Sequence, residues 1–599
     1  MNSTNFTFLR GCQIYIMNKF KSSDKIIQVL TDLYGIKNGL SAYKRLKTIM
    51  LKFEKNRPYQ PQTQLSQRDA ILIVYGDSVL KSGKAPLKTL SEFLKEYIHD
   101  SINALHILPF YPYSSDDGFS VIDYLEVNSE LGTWEDIERL GEHYHLMFDA
   151  VINHVSSQCE WFRKFRENDP IYKDYFITVD EGKDVAKVVR PRSSPLSTRF
   201  ETVAGEKFVW TTFSEDQIDL NYKNYNVLIT VIEILLFYVK RGAKFIRLDA
   251  IAYLWKEFGT SCIHLKQTHK IIQLFRLILE LIAPDIILIT ETNVPHIENI
   301  SYFGDGTNEA HVVYNFTLAP LILHAIHSGS SKILSEWANS LELPSEQSTF
   351  FNFTASHDGI GITPLHGIVE GSEISSMCRR IERLGGRVSY KNKNGNTLEP
   401  YELNINFLDA LSEPDCPDES TDIIAKRFLM SQSIMLTFRG VPGIYFHSLL
   451  GSRNWEEGID KTGHFRSINR EKLKECNLRA DLADRESLRN KVFYPYIEMI
   501  KRRALERSFH PMGKQSSLFC HSSVFAIERI SPDKKETVLC LHNLSKDSQQ
   551  ITIAIKDLQT IPISGLLNIL ENRFYIVING VLNIEMAPYE VLWLKTGCR

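Results

Sequence analysis

The sequence predicts a (β/α)8 barrel with inserted subdomains and a C-terminal antiparallel β domain. Eight short apolar runs recur along the chain with helix-length spacers between them, the alternation of a parallel barrel covered by helices. Four of the runs end in carboxylates, histidines or both: LMFDAVINH (146–154), FIRLDAIAY (245–253), DIILITETN (285–293) and TFFNFTASHD (349–358). A barrel assembles its active site from the carboxyl ends of several strands, which is the geometry these endings require. Beyond about residue 511 the pattern changes to short alternating strands separated by turn residues, as in an antiparallel sandwich.

Taken in order, residues 1 to about 16 read as untethered. A helix is expected near 24–34, with Ser22 or Ser23 as its cap and Gly35 at its close, and a second over 40–54. The Pro/Gln-rich RPYQPQTQLSQRD (57–69) reads as a linker, which sets off an N-terminal helical extension at 1–65. The strands follow as AILIVY (70–75), INALHILPF (102–110), LMFDAVINH, AKFIRLDAI (243–251), DIILITET (285–292), HVVYNF (311–316), TFFNFTASH (349–357) and GVPGIYFHS (440–448). The runs that carry the ionisable endings are too apolar to face water on either side, as expected of central parallel strands. The spacers after the third and seventh strands, about 155–220 and 360–430, exceed what a crossover needs and should stand over the barrel mouth. The barrel thus spans 66–510 and a β-sandwich 511–599. The sandwich shows no constellation of catalytic residues and reads as a stabilising domain.

Composition narrows the function classes. At 599 residues and 43% hydrophobic, the chain can bury a large core. Lys and Arg total 69 against 72 acidic residues, a net charge of −3 that argues against nucleic acid or a membrane surface as partner. The nine cysteines are scattered, with no C-x-x-C and no His cluster at zinc spacing, so reduced thiols in a cytoplasmic protein without a metal are expected. The apolar run VLITVIEILLFYV (227–239) carries a charge and falls short of a membrane span, and no secretory signal is evident.

Arg247 and Asp249 stand two apart in one strand and therefore point the same way. Alone, such a pair reads as a structural ion pair. Its companions change that reading. Asp149-x-x-x-Asn153-His154, Arg247-x-Asp249, Glu291 and His357-Asp358 stand in the order, and on the strands, of the four motifs of the α-amylase superfamily, glycoside hydrolase family 13. The chain resembles that superfamily from about residue 21 onward. Within it, SSDDGFSVIDY, LGTWEDIERL, RPRSSPL, FSEDQIDLNY and KEFGTSC are similar to segments of the sucrose phosphorylase subgroup. ETNVPHIENISYFG (291–304) resembles the glucosylglycerate phosphorylase branch, and Asn293 stands where sucrose phosphorylases usually carry a histidine.

The resemblance implies a retaining mechanism, which needs a carboxylate nucleophile and a second carboxyl group serving as acid and then base. Asp249, held ionised by Arg247, is the expected nucleophile, and Glu291, desolvated at a strand end, the expected acid/base. Asp358 with His357 matches the third carboxylate and its partner on the sugar hydroxyls. His154, Asp116 and Arg466 match the remaining grip on the terminal glucose, and Tyr253 and Phe213 the aromatic groups that shield the cationic transition state. Phosphate must approach a glucosyl intermediate past three carboxylates, so a local cation is required. Arg190 and Arg192 are the candidates for phosphate binding, Arg192 matching the subgroup's phosphate-binding arginine, and Gln217 resembles a residue on the acceptor side. Asn153 is a calcium ligand in many amylases, but the subgroup does not depend on calcium, and no cofactor is expected.

The expected reaction is phosphorolysis of 2-O-α-glucosylglycerate to α-D-glucose 1-phosphate and glycerate. The alternatives are sucrose or sucrose 6-phosphate phosphorolysis, simple hydrolysis, or an inactive transporter-associated relative. The retained carboxylate set speaks against the last.

Overall fold

A computed structural model describes residues 3–57, 60–393, 397–416, 418–558 and 565–596. Eight buried parallel strands close into a barrel in chain order: β1 (Ile71–Val74), β2 (Ala104–Ile107), β3 (His145–Ala150), β4 (Ala243–Leu248), β5 (Ile287–Thr290), β6 (Val312–Tyr314), β7 (Thr349–Asn352) and β8 (Val441–Tyr445). Closure comes where β8 lies beside β1, with Gly443 opposite Ile71. Glycine is required there, because a Cβ at 443 would stand 2.3 Å from the ring of Phe351 inside the barrel. The apolar run 227–239 proves to be a barrel helix, Tyr225–Lys240, capped by the Asn224 side chain and buried along most of its length.

The N-terminal segment differs from its sequence expectation. Helix runs from Ser3 to Lys55 with one interruption at Gly35 (φ 76°, ψ 165°), so Ser22 and Ser23 lie inside it rather than capping it. Ile26, Leu30, Ala42, Leu46, Met50 and Phe53 are buried as it packs on helices Tyr225–Lys240 and Lys266–Ile282. Its end is fixed by Arg57, which donates two hydrogen bonds of 2.8 Å to the Asp285 carboxylate at the foot of β5.

Both long spacers fold as subdomains over the carboxyl ends of the strands. The first contains the hairpin Ser197–Thr202 and Gly205–Trp210 and a small sheet pairing His154–Ser156 with Gln217–Asp219. The second contains helix Gly371–Arg383 and the hairpin Arg387–Lys393 and Thr397–Asn404. It ends earlier than the sequence suggests, since Thr421–Thr437 is the helix that leads into β8.

The C-terminal strands form a six-stranded and a two-stranded antiparallel sheet with a core of their own. A buried arginine ties this domain to the barrel through backbone carbonyls: Arg529 donates to Thr437 O (2.7 Å) and His510 O (2.9 Å). Arg503, in the last barrel helix, donates to Gln67 O, Leu436 O, Gly440 O and Phe509 O within the barrel. Among the described residues no helix is long and apolar enough to cross a membrane.

Candidate active site

The four ionisable strand endings converge at the barrel mouth, and Arg247 stands at their centre. Its side chain is 2% exposed, and Nη1 donates to Asp249 Oδ1 at 2.7 Å and to Asp149, while Nη2 lies 3.6 Å from Glu291 Oε2. After β4 the backbone turns through Ala250 in the left-handed region (φ 47°), and the Ala250 amide donates to Glu291 Oε2 at 3.2 Å. That turn brings the ends of β4 and β5 together, so Asp249 and Glu291 face one chamber. His106 on β2 completes the floor, its Nε2 2.6 Å from Asp149 Oδ2.

Burial and charge oppose each other here. Burial raises Asp249 well above the usual carboxylate range, with Arg247 pulling down and Glu291, Asp149 and Asp358 pushing up. Burial also raises Glu291, against the pull of Arg247. Two carboxyl groups this close titrate as a pair. Arg247 hydrogen-bonds Asp249 and only approaches Glu291, so the guanidinium favours charge on Asp249 over charge on Glu291. The expectation that Arg247 simply holds Asp249 ionised is therefore incomplete, because the same guanidinium serves three carboxylates. Asp149 takes a large share: burial would raise it, but His106 and Arg247 bring it down to about 2. Burial lowers His357 and His154, leaving both imidazoles neutral.

The remaining sugar-facing candidates surround this pair. His357 stacks on Phe119, ring centroids 4.7 Å apart and nearly parallel, with its Nε2 3.5 Å from Asp358. His154 Nε2 pairs with Phe119 O at 2.9 Å. Asp116 lies in a loop held by left-handed backbone at Asp116 and Asp117. Arg466 makes a charge contact of 2.6 Å with Asp358 Oδ1 and a bidentate pair with Glu402 (2.9 and 2.7 Å). Phe213 meets Tyr253 edge to face at 5.5 Å and His154 at 5.2 Å, giving the chamber one aromatic wall.

The two arginines of the first insertion part company. Arg192 lies over the Phe213 ring (5.7 Å) and lines the chamber, with Pro191 O as its hydrogen-bond acceptor. Arg190 is not brought to the chamber: its guanidinium donates to Thr211 O, Thr212 O and Ser194, which fastens its own loop and leaves Arg192 as the arginine of the pair that lines the chamber. Gln217 is buried, donating to Phe119 O (3.1 Å) and accepting from Ser214. Asp116, Arg192, Gln217 and Arg466 also line a second, wider cleft of about 740 Å³ outside the chamber.

Several residues escaped the sequence reading. Glu402, from the second insertion, positions Arg466 and accepts from the Gly359 amide. Arg470, four residues beyond Arg466, donates to His357 O (2.8 Å) and Asp117 (2.8 Å) and lies 3.4 Å from Asp116 and 3.7 Å from Asp358. Tyr401 lines the chamber, as does Asn293, which the sequence had marked. Lys256 is buried with Nζ between Asn153 Oδ1 (2.7 Å) and Asp219 Oδ2 (2.6 Å), so an ammonium occupies the position beside Asn153. Among the described residues no group of three His, Cys, Asp or Glu side chains is placed to hold a metal.

Comparison with known proteins assigns the class first. The family profile described as "Alpha amylase, catalytic domain" matches residues 82–359, and the solved sucrose 6F-phosphate phosphorylase of Thermoanaerobacter thermosaccharolyticum superposes with a TM-score of 0.70 at 24% identity, covering 86% of this chain and 99% of that one. The fold is that of an α-amylase-type barrel. Glucosylglycerate phosphorylase of Spirochaeta thermophila is 47% identical over 95% of this chain and 98% of its own length, and that of Escherichia coli 41% identical over 95% and 100%. The chain belongs to the glucosylglycerate phosphorylase family.

Proposed function

We infer that this chain is a retaining glycoside phosphorylase converting 2-O-α-glucosylglycerate and phosphate to α-D-glucose 1-phosphate and glycerate. The observation that carries the reading is a complete pair of facing carboxyls under one arginine, with a second arginine at the chamber mouth, in a chain 41–47% identical to glucosylglycerate phosphorylases. Asp249 attacks the anomeric carbon while Glu291 protonates the leaving oxygen. Phosphate then enters beside Arg192, Glu291 takes its proton, and phosphate oxygen displaces Asp249. Arginine suits both ionic species at this position, since its planar fork accepts phosphate and carboxylate alike.

The test is phosphate-dependent release of α-glucose 1-phosphate by purified protein from glucosylglycerate, sucrose and sucrose 6-phosphate in parallel. Release from glucosylglycerate, abolished in Asp249→Ala with the fold retained, is the expected result. Release from sucrose instead would keep the mechanism and change the acceptor, whereas free glucose without phosphate dependence would make the chain a hydrolase.

A further inference from the structure

Asp116 reaches the chamber from a contorted stretch of backbone. The chain enters extended at Ser115 (φ −158°, ψ 177°) and then passes through positive φ at Asp116 (52°), Asp117 (46°) and Gly118 (108°). Glycine is required at 118, where a Cβ would stand 2.4 Å from Pro109 O. The two aspartates adopt the conformation without that freedom, and strain of this kind persists only where neighbouring contacts over-determine it. Arg470 supplies one such contact, donating to Asp117 and lying 3.4 Å from Asp116. It grips the side chains of the stretch and leaves its flanks to another group.

A single carboxylate from the first insertion holds both flanks. Asp216 Oδ2 accepts from the hydroxyls of Ser114 and Ser115 on one side of the stretch and of Ser120 (2.9 Å) on the other. Its Oδ1 accepts from Ser157 Oγ (2.5 Å) and from the Ser157 amide (3.2 Å), just beyond the short strand that begins at His154. The Ser114 amide donates to Ser120 O at 3.1 Å, which closes the loop between the flanks. Burial would raise the Asp216 carboxyl, but the four hydroxyls hold it below its usual range, so it serves them all as an ionised acceptor. Hydrogen bonds to an ionised acceptor are roughly twice as strong as neutral ones. Phe119, at the end of the stretch, is fixed separately, its carbonyl paired with His154 Nε2 and accepting from Gln217 Nε2 (3.1 Å). What Asp216 controls is the path of residues 116–118, and with it the aim of the Asp116 carboxylate.

We propose that Asp216 is a positioning residue: by clamping Ser114, Ser115 and Ser120 it holds the strained backbone that aims Asp116 at the glucosyl group. The inference rests on the glucosyl-transfer reading above, with Asp116 as one of the grips on the sugar. Asp216 itself stands in the wall of the outer cleft and acts through Asp116.

The experiment compares the full chain with Asp216→Asn, Asp116→Ala and the double variant, using α-glucosyl fluoride as donor and following fluoride release with and without phosphate. Asparagine keeps the size of the side chain but removes its charge and one acceptor oxygen. Asp216→Asn is expected to lower kcat/KM for the fluoride about tenfold, the worth of one charged hydrogen bond, and to leave the KM for phosphate within about twofold of the parent. In the Asp116→Ala background the same change should cost less than about twofold, because residues acting through one contact do not add. Ser115→Ala combined with Ser120→Ala leaves Asp216 bonded to Ser114 and Ser157 and should reproduce part of the loss.

An unchanged kcat/KM in Asp216→Asn, or a full loss that recurs in the Asp116→Ala background, overturns the proposal. So does a lowered melting temperature with kinetics intact, the mark of a purely structural staple. Should Asp216→Asn fail to fold, the serine pair decides, and an unaltered kcat/KM there overturns the proposal. A parent whose fluoride release phosphate does not accelerate overturns the phosphorylase reading alone, since the cycle is read on glucosylation of Asp249. A parent that releases no fluoride overturns both.

Discussion

Arg247 reaches three carboxylates with one guanidinium, and this division sets the pH behaviour of the site. The raised Glu291 carboxyl keeps its proton to higher pH than a free glutamate, and in the proposed mechanism the protonated form is the one that expels the leaving group. Phosphorolysis should therefore fall as pH rises through that raised value, and at low pH it should fall as Asp249, also raised by burial, takes up a proton and ceases to attack. Glu291→Gln is expected to lower turnover of glucosylglycerate by about 10²–10⁴-fold yet spare glucosylation by α-glucosyl fluoride, which needs no acid, with the alkaline limb gone. Unchanged turnover with an unchanged pH profile would remove Glu291 from the acid role. The place of Asp249, Glu291 and Asp358 at the barrel mouth was legible because each follows an apolar strand, a local pattern. Glu402 was not, since its partner Arg466 lies 64 residues away on another element and neither neighbourhood records the pairing. His106 was hidden likewise, looking like one polar residue in a buried strand 43 positions from Asp149.

The eight strands could be read from the sequence because burial on both faces demands continuous apolar runs, which also mark their order. The elements misread were those whose boundaries depend on contacts elsewhere. Ser22 and Ser23 look like caps, but the helix passes through them and breaks only at Gly35; the end of the second insertion was set too late because helix Thr421–Thr437 is polar where it begins. The first insertion is anchored to the loop after β4 by Lys256, whose ammonium is the buried counter-charge of Asp219 and also holds Asn153 beside His154. Lys256→Met leaves Asp219 buried without its cation, at an expected cost of about 3–5 kcal/mol. A thermal melt checks it: a variant melting with the parent would show that the pair contributes little.

At the level of the whole molecule, the barrel and the C-terminal sheets are joined by Arg529 and Trp593, the latter donating to Ser433 Oγ at 3.0 Å. Arg529→Ala would strip the donors from the buried carbonyls of Thr437 and His510, each loss worth about 1–3 kcal/mol, and should shorten the half-life at elevated temperature while turnover at low temperature persists. An unaltered half-life would reduce the contact to decoration. The sequence showed that two domains exist but not how they hold each other, because an arginine bonded to main-chain carbonyls has no complementary residue type to search for. One consequence concerns the order in which the protein is made. The donor that holds the end of the helix leading into β8 is residue 529, well after the last barrel strand has been synthesised. A nascent chain halted near residue 510 owns all eight strands and Arg503, which already holds Leu436 O and Gly440 O, yet the Thr437 carbonyl between them waits for a donor that emerges only with the C-terminal sheets.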